Sequence, residues 1–300
     1  MEFDPSHIMI IAAIGFAGGF LGGLFGIGGS IIVIPLLSFV NGPNQQLYQA
    51  TAMLMNVAVS GSATLKHHLR GAIQKVMVMR LLPSALVGII LGVTLSNAVP
   101  PLMLQLVFAV FLSYIGVSEM IGAFIRRNRD TSPPSGTDTE TRGLVSGVGG
   151  ITGLASGLLG IGGGTVMIPL LKRLCRFNLK QAIPASSATM LVTATVGAVY
   201  KNLMLPELTA PNGDPLRISE SLSIAAALIP TGFLGSYIGA GLMHRLPMEM
   251  IKKLFALLLI VAAVKMAGSA ISESVFEGTE PEPVAPRAMS SPGQVGPFGT

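Results

Sequence analysis

GFLGGLFGIGGSIIVIPLL, residues 19–37, returns as GLASGLLGIGGGTVMIPLL at residues 153–171, with eleven of nineteen positions identical. Each copy sets a glycine-dense break inside an apolar run and a proline at one fixed distance past it, Pro35 in the first and Pro169 in the second. One such break per half of a chain points to a membrane transporter made of two repeats, with its site where the repeats meet.

The duplication extends beyond the breaks. Leu81 to Pro100 aligns on Leu228 to Pro247, pairing Pro83 with Pro230, Gly88 with Gly235, Gly92 with Gly239 and Pro100 with Pro247, and Phe108-Ala109 falls on Phe255-Ala256. The offset is 134 at the breaks and 147 here, so the second half carries thirteen more residues between the two, placed by this reading in a loop over residues 201–219.

Composition fixes the class. The chain is 50% hydrophobic and 11% charged, with a mean hydropathy of +0.68. A soluble domain carries roughly 25% charged residues, so this is an all-α polytopic membrane protein by expectation. The net charge of +5 comes from basic residues in short loops between apolar spans, which argues for a membrane and against a nucleic-acid partner. The start, with Glu2 and Asp4 and no Lys or Arg before His7, lacks the basic region of a signal peptide and is expected to stay on the chain. A single cysteine, Cys175, leaves no disulfide framework or cysteine-built zinc site. No metal or other cofactor is expected.

Eight apolar segments cover residues 8–40, 48–65, 76–99, 102–125, 143–171, 182–203, 218–243 and 250–271. They divide the chain into a first membrane repeat (1–128), a polar cytoplasmic linker (129–142), a second membrane repeat (143–272) and a disordered Pro/Gly-rich tail (273–300). Four basic clusters are expected to face the cytoplasm: Lys66, Arg70, Lys75 and Arg80; Arg126, Arg127, Arg129 and Arg142; Lys172, Arg173, Arg176 and Lys180; and Arg245, Lys252 and Lys253. The clusters before and after the fifth segment then lie on one side. One crossing cannot do that, so residues 143–171 read as a helix hairpin with Gly160-Ile-Gly-Gly-Gly164 at its tip. By the same logic residues 8–40 form a hairpin tipped by Gly26-Ile-Gly-Gly-Ser30. Arms of some fourteen residues would reach roughly 20 Å, short of a ~30 Å hydrocarbon core. Each repeat is then a hairpin plus three transmembrane helices, the second repeat is inverted, and both termini lie outside the cell's inner membrane. Eight straight crossings is the alternative count.

Glycines allow a tight reversal within the membrane provided the freed amides line a polar cavity. The helix that leaves each tip offers unpaired N–H groups and a partial positive charge, suited to an anion. The candidate binding residues are therefore Gly26, Gly28, Gly29 and Ser30 with Gly160, Gly162, Gly163, Gly164 and Thr165. The plainer reading is that these glycines only let helices approach, as Gly88 with Gly92 and Gly235 with Gly239 are expected to do. Asn56, Ser60 and Thr64 share one helical face, and Ser186, Thr189 and Thr193 another, so both stripes are candidates to line a path. Glu119 and Lys265 are ionisable groups within spans, candidates for proton coupling and charge neutralisation, or for snorkelling.

The segments Gly23-Leu-Phe-Gly-Ile-Gly-Gly-Ser30 and Gly157-Leu-Leu-Gly-Ile-Gly-Gly-Gly164, each followed by an apolar run and Pro35 or Pro169, resemble the paired signature of the TauE/SafE sulfite exporter family. The likeness covers residues 8–271, with Ser30 where the fuller motif has glycine. It implies export or uptake of a small sulfur oxyanion or organosulfonate, such as sulfite, thiosulfate or sulfoacetate. The expectation is a secondary transporter open to proton or sodium coupling, with alternating access around the two tips. A passive anion channel is the rival, since hairpin tips also build selectivity filters. An enzyme would need a nucleophile with its base or a metal cluster, and no HExxH, P-loop or His/Asp/Glu cluster falls within the spans.

Overall fold

The computed structural model describes residues 4–124, 138–210, 213–242 and 248–277. The described residues form ten α-helices: α1 (Pro5–Phe25), α2 (Ser30–Asn41), α3 (Gln45–Leu69), α4 (Lys75–Ala98), α5 (Pro101–Phe124), α6 (Asp138–Leu159), α7 (Gly164–Arg173), α8 (Leu179–Met204), α9 (Ile218–Leu242) and α10 (Met248–Glu277). Among the described residues the only β-type pairing is an isolated bridge between Thr209 and Pro215. The protein is thus an all-α polytopic membrane fold, with six helices among the described residues long and apolar enough to cross a bilayer.

Both breaks are where the repeat puts them. α1 ends at Gly26, whose φ of +69° lets its N–H turn back to Gly22 O, and Gly28 follows at φ +85°. α6 ends the same way, with Gly160, Gly162 and Gly163 at φ between +72° and +83°. These left-handed conformations are open to glycine at little cost, which explains the residue type at both tips. The chain doubles back at each: Gly22 lies against Gly28 and Gly29, and Gly18 against Val33. In the second half, Gly163 faces Thr152 and Ser156.

The arms are unequal, contrary to the expectation of some fourteen residues each. They measure 21 and 12 residues in the first half and 22 and 10 in the second. The apolar run marks what a bilayer requires, whereas the helix continues into the polar stretches that precede it, through Pro5 and Ser6 in α1 and from Asp138 in α6. At 1.5 Å per residue α2 and α7 span only about 15–18 Å, about half a hydrocarbon core. Residues 138–142 are therefore helical within the expected linker, and α10 runs to Glu277, into the expected tail. Arg126, Arg127, Arg129, Arg245 and residues 278–300 lie outside the described residues.

The helices pack in a pattern that maps onto itself when the halves are exchanged. α1 packs on α9 and α6 on α4, α3 packs on α8, and α5 on α10. The glycines show the same relation residue by residue. Gly15, Gly19 and Gly23 of α1 press on the backbones of Leu228, Gly232 and Ser236 in α9, while Gly149, Gly153 and Gly157 of α6 press on those of Leu81, Ala85 and Ile89 in α4. Offsets of 134 and 147 convert one set into the other. From the opposite side, Gly235 and Gly239 meet Phe16 and Phe20, as Gly88 and Gly92 meet Gly150 and Leu154. A side chain at any of these positions would collide with backbone, so close helix approach is what they supply.

α3 and α8 form the interior. In α8, 72% of the apolar window is buried, against 39–44% in the other five spanning helices, so it is shielded from lipid while they are not. α3 carries seven buried polar side chains, Gln45, Gln46, Gln49, Thr51, Asn56, Ser60 and Ser62, which an outer membrane helix could not bear. Exposed apolar residues such as Met79 and Leu91 on α4, Val110 on α5, Leu234 on α9 and Val264 on α10 form the outer surface. The expected loop over residues 201–219 is shorter than the sequence suggested. α8 runs through Lys201 and Asn202 to Met204, then a single 3-10 turn (Leu205–Glu207) leads into the Thr209 bridge.

Candidate functional site

The two tips meet at the centre of the bundle. Gly164 sits so close to the first tip that a Cβ on it would lie 2.6 Å from Gly26 O and 2.7 Å from Ile27 Cα. Two side chains, Asn56 from α3 and Met190 from α8, lie against both tips. A Cβ on Gly28 would lie 3.1 Å from Asn56 Oδ1 and 3.2 Å from Met190 Sδ, and one on Gly162 would lie 2.7 Å from Asn56 Nδ2 and 2.9 Å from Met190 Sδ. Each side chain thus touches both tips.

Asn56 is fully buried and uses both ends of its amide. Its Oδ1 accepts from Gly29 N–H at 3.1 Å and Ser30 N–H at 3.3 Å, which caps the N-terminus of α2. Its Nδ2 donates to Ser30 Oγ at 2.9 Å and to Gly160 O at 3.5 Å, which ties the first tip to the second. The N-cap of α7 is Gly163, and among the described residues no side chain accepts from the first amides of α7. The thioether of Met190 is a weak acceptor and does not replace the asparagine there. Near this second tip the hydroxyls of Thr165 on α7 and Thr152 on α6 are buried without a hydrogen-bond partner, and so is that of Ser186 on α8. The second tip thus combines an uncapped helix start with nearby unpartnered hydroxyls.

Thr152, Ser156, Gly162, Gly163, Met190 and Thr193 border a narrow gap beside this tip, with Ala85, Gly153 and Met167. It does not admit a water-sized sphere.

Of the stripe residues, Asn56 touches both tips and Thr193 borders the gap. The Ser60, Thr189 and Thr193 hydroxyls donate back to Asn56 O, Ala185 O and Thr189 O, the self-bonded state usual within membrane helices. Thr64 Oγ1 is buried without a partner. Glu119 and Lys265 sit on the packed pair α5 and α10, and neither borders the gap. Lys265 is exposed, with its ammonium 5.0 Å from the Phe39 ring centre, a cation–π contact. Cys175, just past α7, is free and buried, and burial pushes its thiol above the usual value, which suits packing rather than reactivity. Among the described residues no three His, Cys, Asp or Glu side chains converge as metal ligands.

Met190 and Lys201 escaped the sequence reading. Met190 is apolar and gives no polar signal. Lys201 stands four residues past Gly197 and eight past Thr193, on the same α8 face, but was read with the following loop.

The sequence profile described as sulfite exporter TauE/SafE matches residues 11–266. The chain is similar to the probable membrane transporter protein MamO of Paramagnetospirillum magneticum, at 24% identity over 89% of this chain and 45% of the relative. It is also similar to a probable membrane transporter protein of Haemophilus influenzae, at 29% identity over 87% of this chain and 98% of that protein, and to YunE of Bacillus subtilis, at 22% over 89% and 98%. It spans about half the length of the MamO relatives. No solved structure matches the chain. The profile spans both glycine breaks and nearly the whole chain, and the chain belongs to the TauE/SafE sulfite exporter family.

Proposed function

We propose that this chain is a secondary transporter of a small anion, a sulfur oxyanion or organosulfonate of the sulfite, thiosulfate or sulfoacetate type, working by alternating access about the two tips. The observation that carries this reading is the unlike pair of helix starts. Asn56 fills the N-terminus of α2, whereas among the described residues no side chain caps α7, and the Thr165 and Thr152 hydroxyls beside it are unpartnered. Helix-start amides and hydroxyl donors together suit an oxyanion. The anion binds over Gly162, Gly163, Gly164 and Thr165, with Gly26, Gly28, Gly29, Ser30 and Gly160 forming the opposite wall. Sulfur chemistry is taken from the family's description, and the relatives' names go no further than membrane transport.

In this reading the repeats are inverted across the cell's inner membrane, the basic loops face the cytoplasm and both termini lie outside. The glycine-lined seams of α1 on α9 and α4 on α6 are the surfaces across which one half rocks on the other. A proton or sodium gradient drives the cycle.

Flux of labelled sulfite, thiosulfate and sulfoacetate into proteoliposomes, with and without imposed proton and sodium gradients, tests this. Saturable uptake that responds to a gradient and is lost on Gly162→Leu is the expected result. Uptake that does not saturate and ignores both gradients would mean a channel, and no flux of any of the three in competent vesicles would overturn the reading.

A further inference from the structure

Lys201, near the end of α8, is fully buried, and the three acceptors of its ammonium are neutral: Gln46 Oε1, Ser96 Oγ at 3.0 Å and Asn97 Oδ1 at 2.6 Å. Ser96 Oγ donates in turn to Gln49 Oε1 at 2.8 Å, and Gln49 Nε2 donates to Leu158 O at 3.1 Å, next to the second break. A Cβ on Gly160 would lie 2.9 Å from Gln49 Cγ, and Gly160 O accepts from Asn56. Gln46 Nε2 closes the group on Ser96 O and Val99 O at the end of α4. A continuous string of polar groups thus runs from Asn56 and the second tip, through Gln49 and Ser96, to Lys201 and the half-buried Asn97.

Helices can be tied together by neutral amides alone, and a buried charge adds a desolvation cost to such a tie. The carbonyls ending α4 ease that cost, since a helix C-terminus favours a cation, but do not account for the choice of lysine over glutamine. A mobile anion does. The groups around Lys201 are hydroxyl and amide, each able to turn a proton toward a negative oxygen. Lys66 stands near the end of α3 much as Lys201 does near the end of α8, but it is only partly covered and donates to Tyr237 O at 2.9 Å.

We propose that Lys201, with Gln46, Gln49, Ser96 and Asn97, is a second anion station on the route between the tips and the end of the bundle at the α4–α5 turn. It takes the same class of small oxyanion as the tips, and so rests on the transport reading above. When the anion arrives, its oxygens replace Gln46 Oε1 and Asn97 Oδ1 as acceptors of the ammonium protons.

The test is the initial rate of labelled sulfite uptake against concentration for the full chain in proteoliposomes, comparing wild type with Lys201→Gln, Lys201→Arg and Asn97→Asp. Asn97→Asp keeps the lysine and its contact but occupies its charge with a carboxylate, so it remains informative if Lys201→Gln fails to fold. The expected result is a KM raised about tenfold or more in Asn97→Asp and in folded Lys201→Gln, with kcat within about threefold and Lys201→Arg close to wild type. Wild-type KM in Asn97→Asp, or a loss confined to kcat in Lys201→Gln, marks a structural tie and overturns the station. Absence of sulfite, thiosulfate and sulfoacetate flux in wild-type vesicles overturns the transport reading itself.

Discussion

Asn56 and Met190 lie 134 residues apart, the same offset that relates Gly28 to Gly162 and the helix caps Asn44 to Asn178, and both side chains contact both tip glycines. The two positions face each other across the internal symmetry, but one is an amide that caps a helix and the other a thioether that does not. A duplicated frame thus carries one closed and one open helix start.

Loss of the cap should damage both fold and transport. Asn56→Leu leaves the Gly29 and Ser30 amides buried without an acceptor, at about 1–3 kcal/mol each. We expect a lower unfolding temperature in detergent together with lost anion flux. Asn56→Asp keeps an acceptor for both amides but adds a negative charge beside the site, so it should retain more stability and still lose flux. An Asn56→Asp protein that transports normally would argue against an anionic solute.

Met190→Asn is expected to act in the opposite sense. An amide on α8 can reach the start of α7 as Asn56 reaches that of α2, filling the open N-terminus with the protein's own acceptor. Stability should hold or rise by about 1 kcal/mol, as for a gained helix cap, while the KM for anion increases. Met190→Leu, which conserves volume, should cost less than about 1.5 kcal/mol and leave anion affinity near wild type. Equal KM in the asparagine and leucine variants would remove the α7 start from the binding site.

Much of this was legible in the sequence because it depends on residue type at fixed spacing. The breaks announce themselves through Gly26, Gly28, Gly160, Gly162 and Gly163, each held at positive φ, and the seams through Gly88, Gly92, Gly235 and Gly239, each against backbone. Asn56 was visible as a polar residue on a helical stripe. Met190 was not, because its contribution is a cap that is missing, and an apolar residue in a membrane helix carries no mark of that. Lys201 was hidden by its charge, which reads as a loop until the polar partners on α3 and α4 are seen around it. Helix lengths were missed because hydropathy reports what lipid touches, and α1 and α6 begin in stretches that lipid need not cover.

Contact between the tips sets a further expectation. A methyl on Gly164 would lie 2.6 Å from Gly26 O, and backbone cannot yield there as a flexible side chain would. Gly164→Ala should therefore push the tips apart and lower flux sharply with a moderate loss of stability, about 1–3 kcal/mol for an overpacked site. Gly143→Ala, where a Cβ meets nothing within 4 Å, is the control and should change neither quantity. Matched losses of flux in the two variants would point to helix propensity or expression instead of tip geometry.

The orientation of the repeats can be read from cysteine accessibility in a Cys175→Ser background. Gln74 follows α3 and Glu207 follows α8, equivalent ends of helices that the internal symmetry relates, and both are exposed. If the second repeat is inverted, a membrane-impermeant thiol reagent applied to intact cells should label Glu207→Cys and spare Gln74→Cys until the membrane is opened. Pro100→Cys, after α4, should behave as Glu207→Cys does, and Lys180→Cys, in the first turn of α8, as Gln74→Cys does. Labelling of Gln74→Cys and Glu207→Cys from the same side would make the repeats parallel. The α2 and α7 starts would then point the same way across the membrane instead of converging from opposite sides, and rocking about a shared midplane would have to be abandoned.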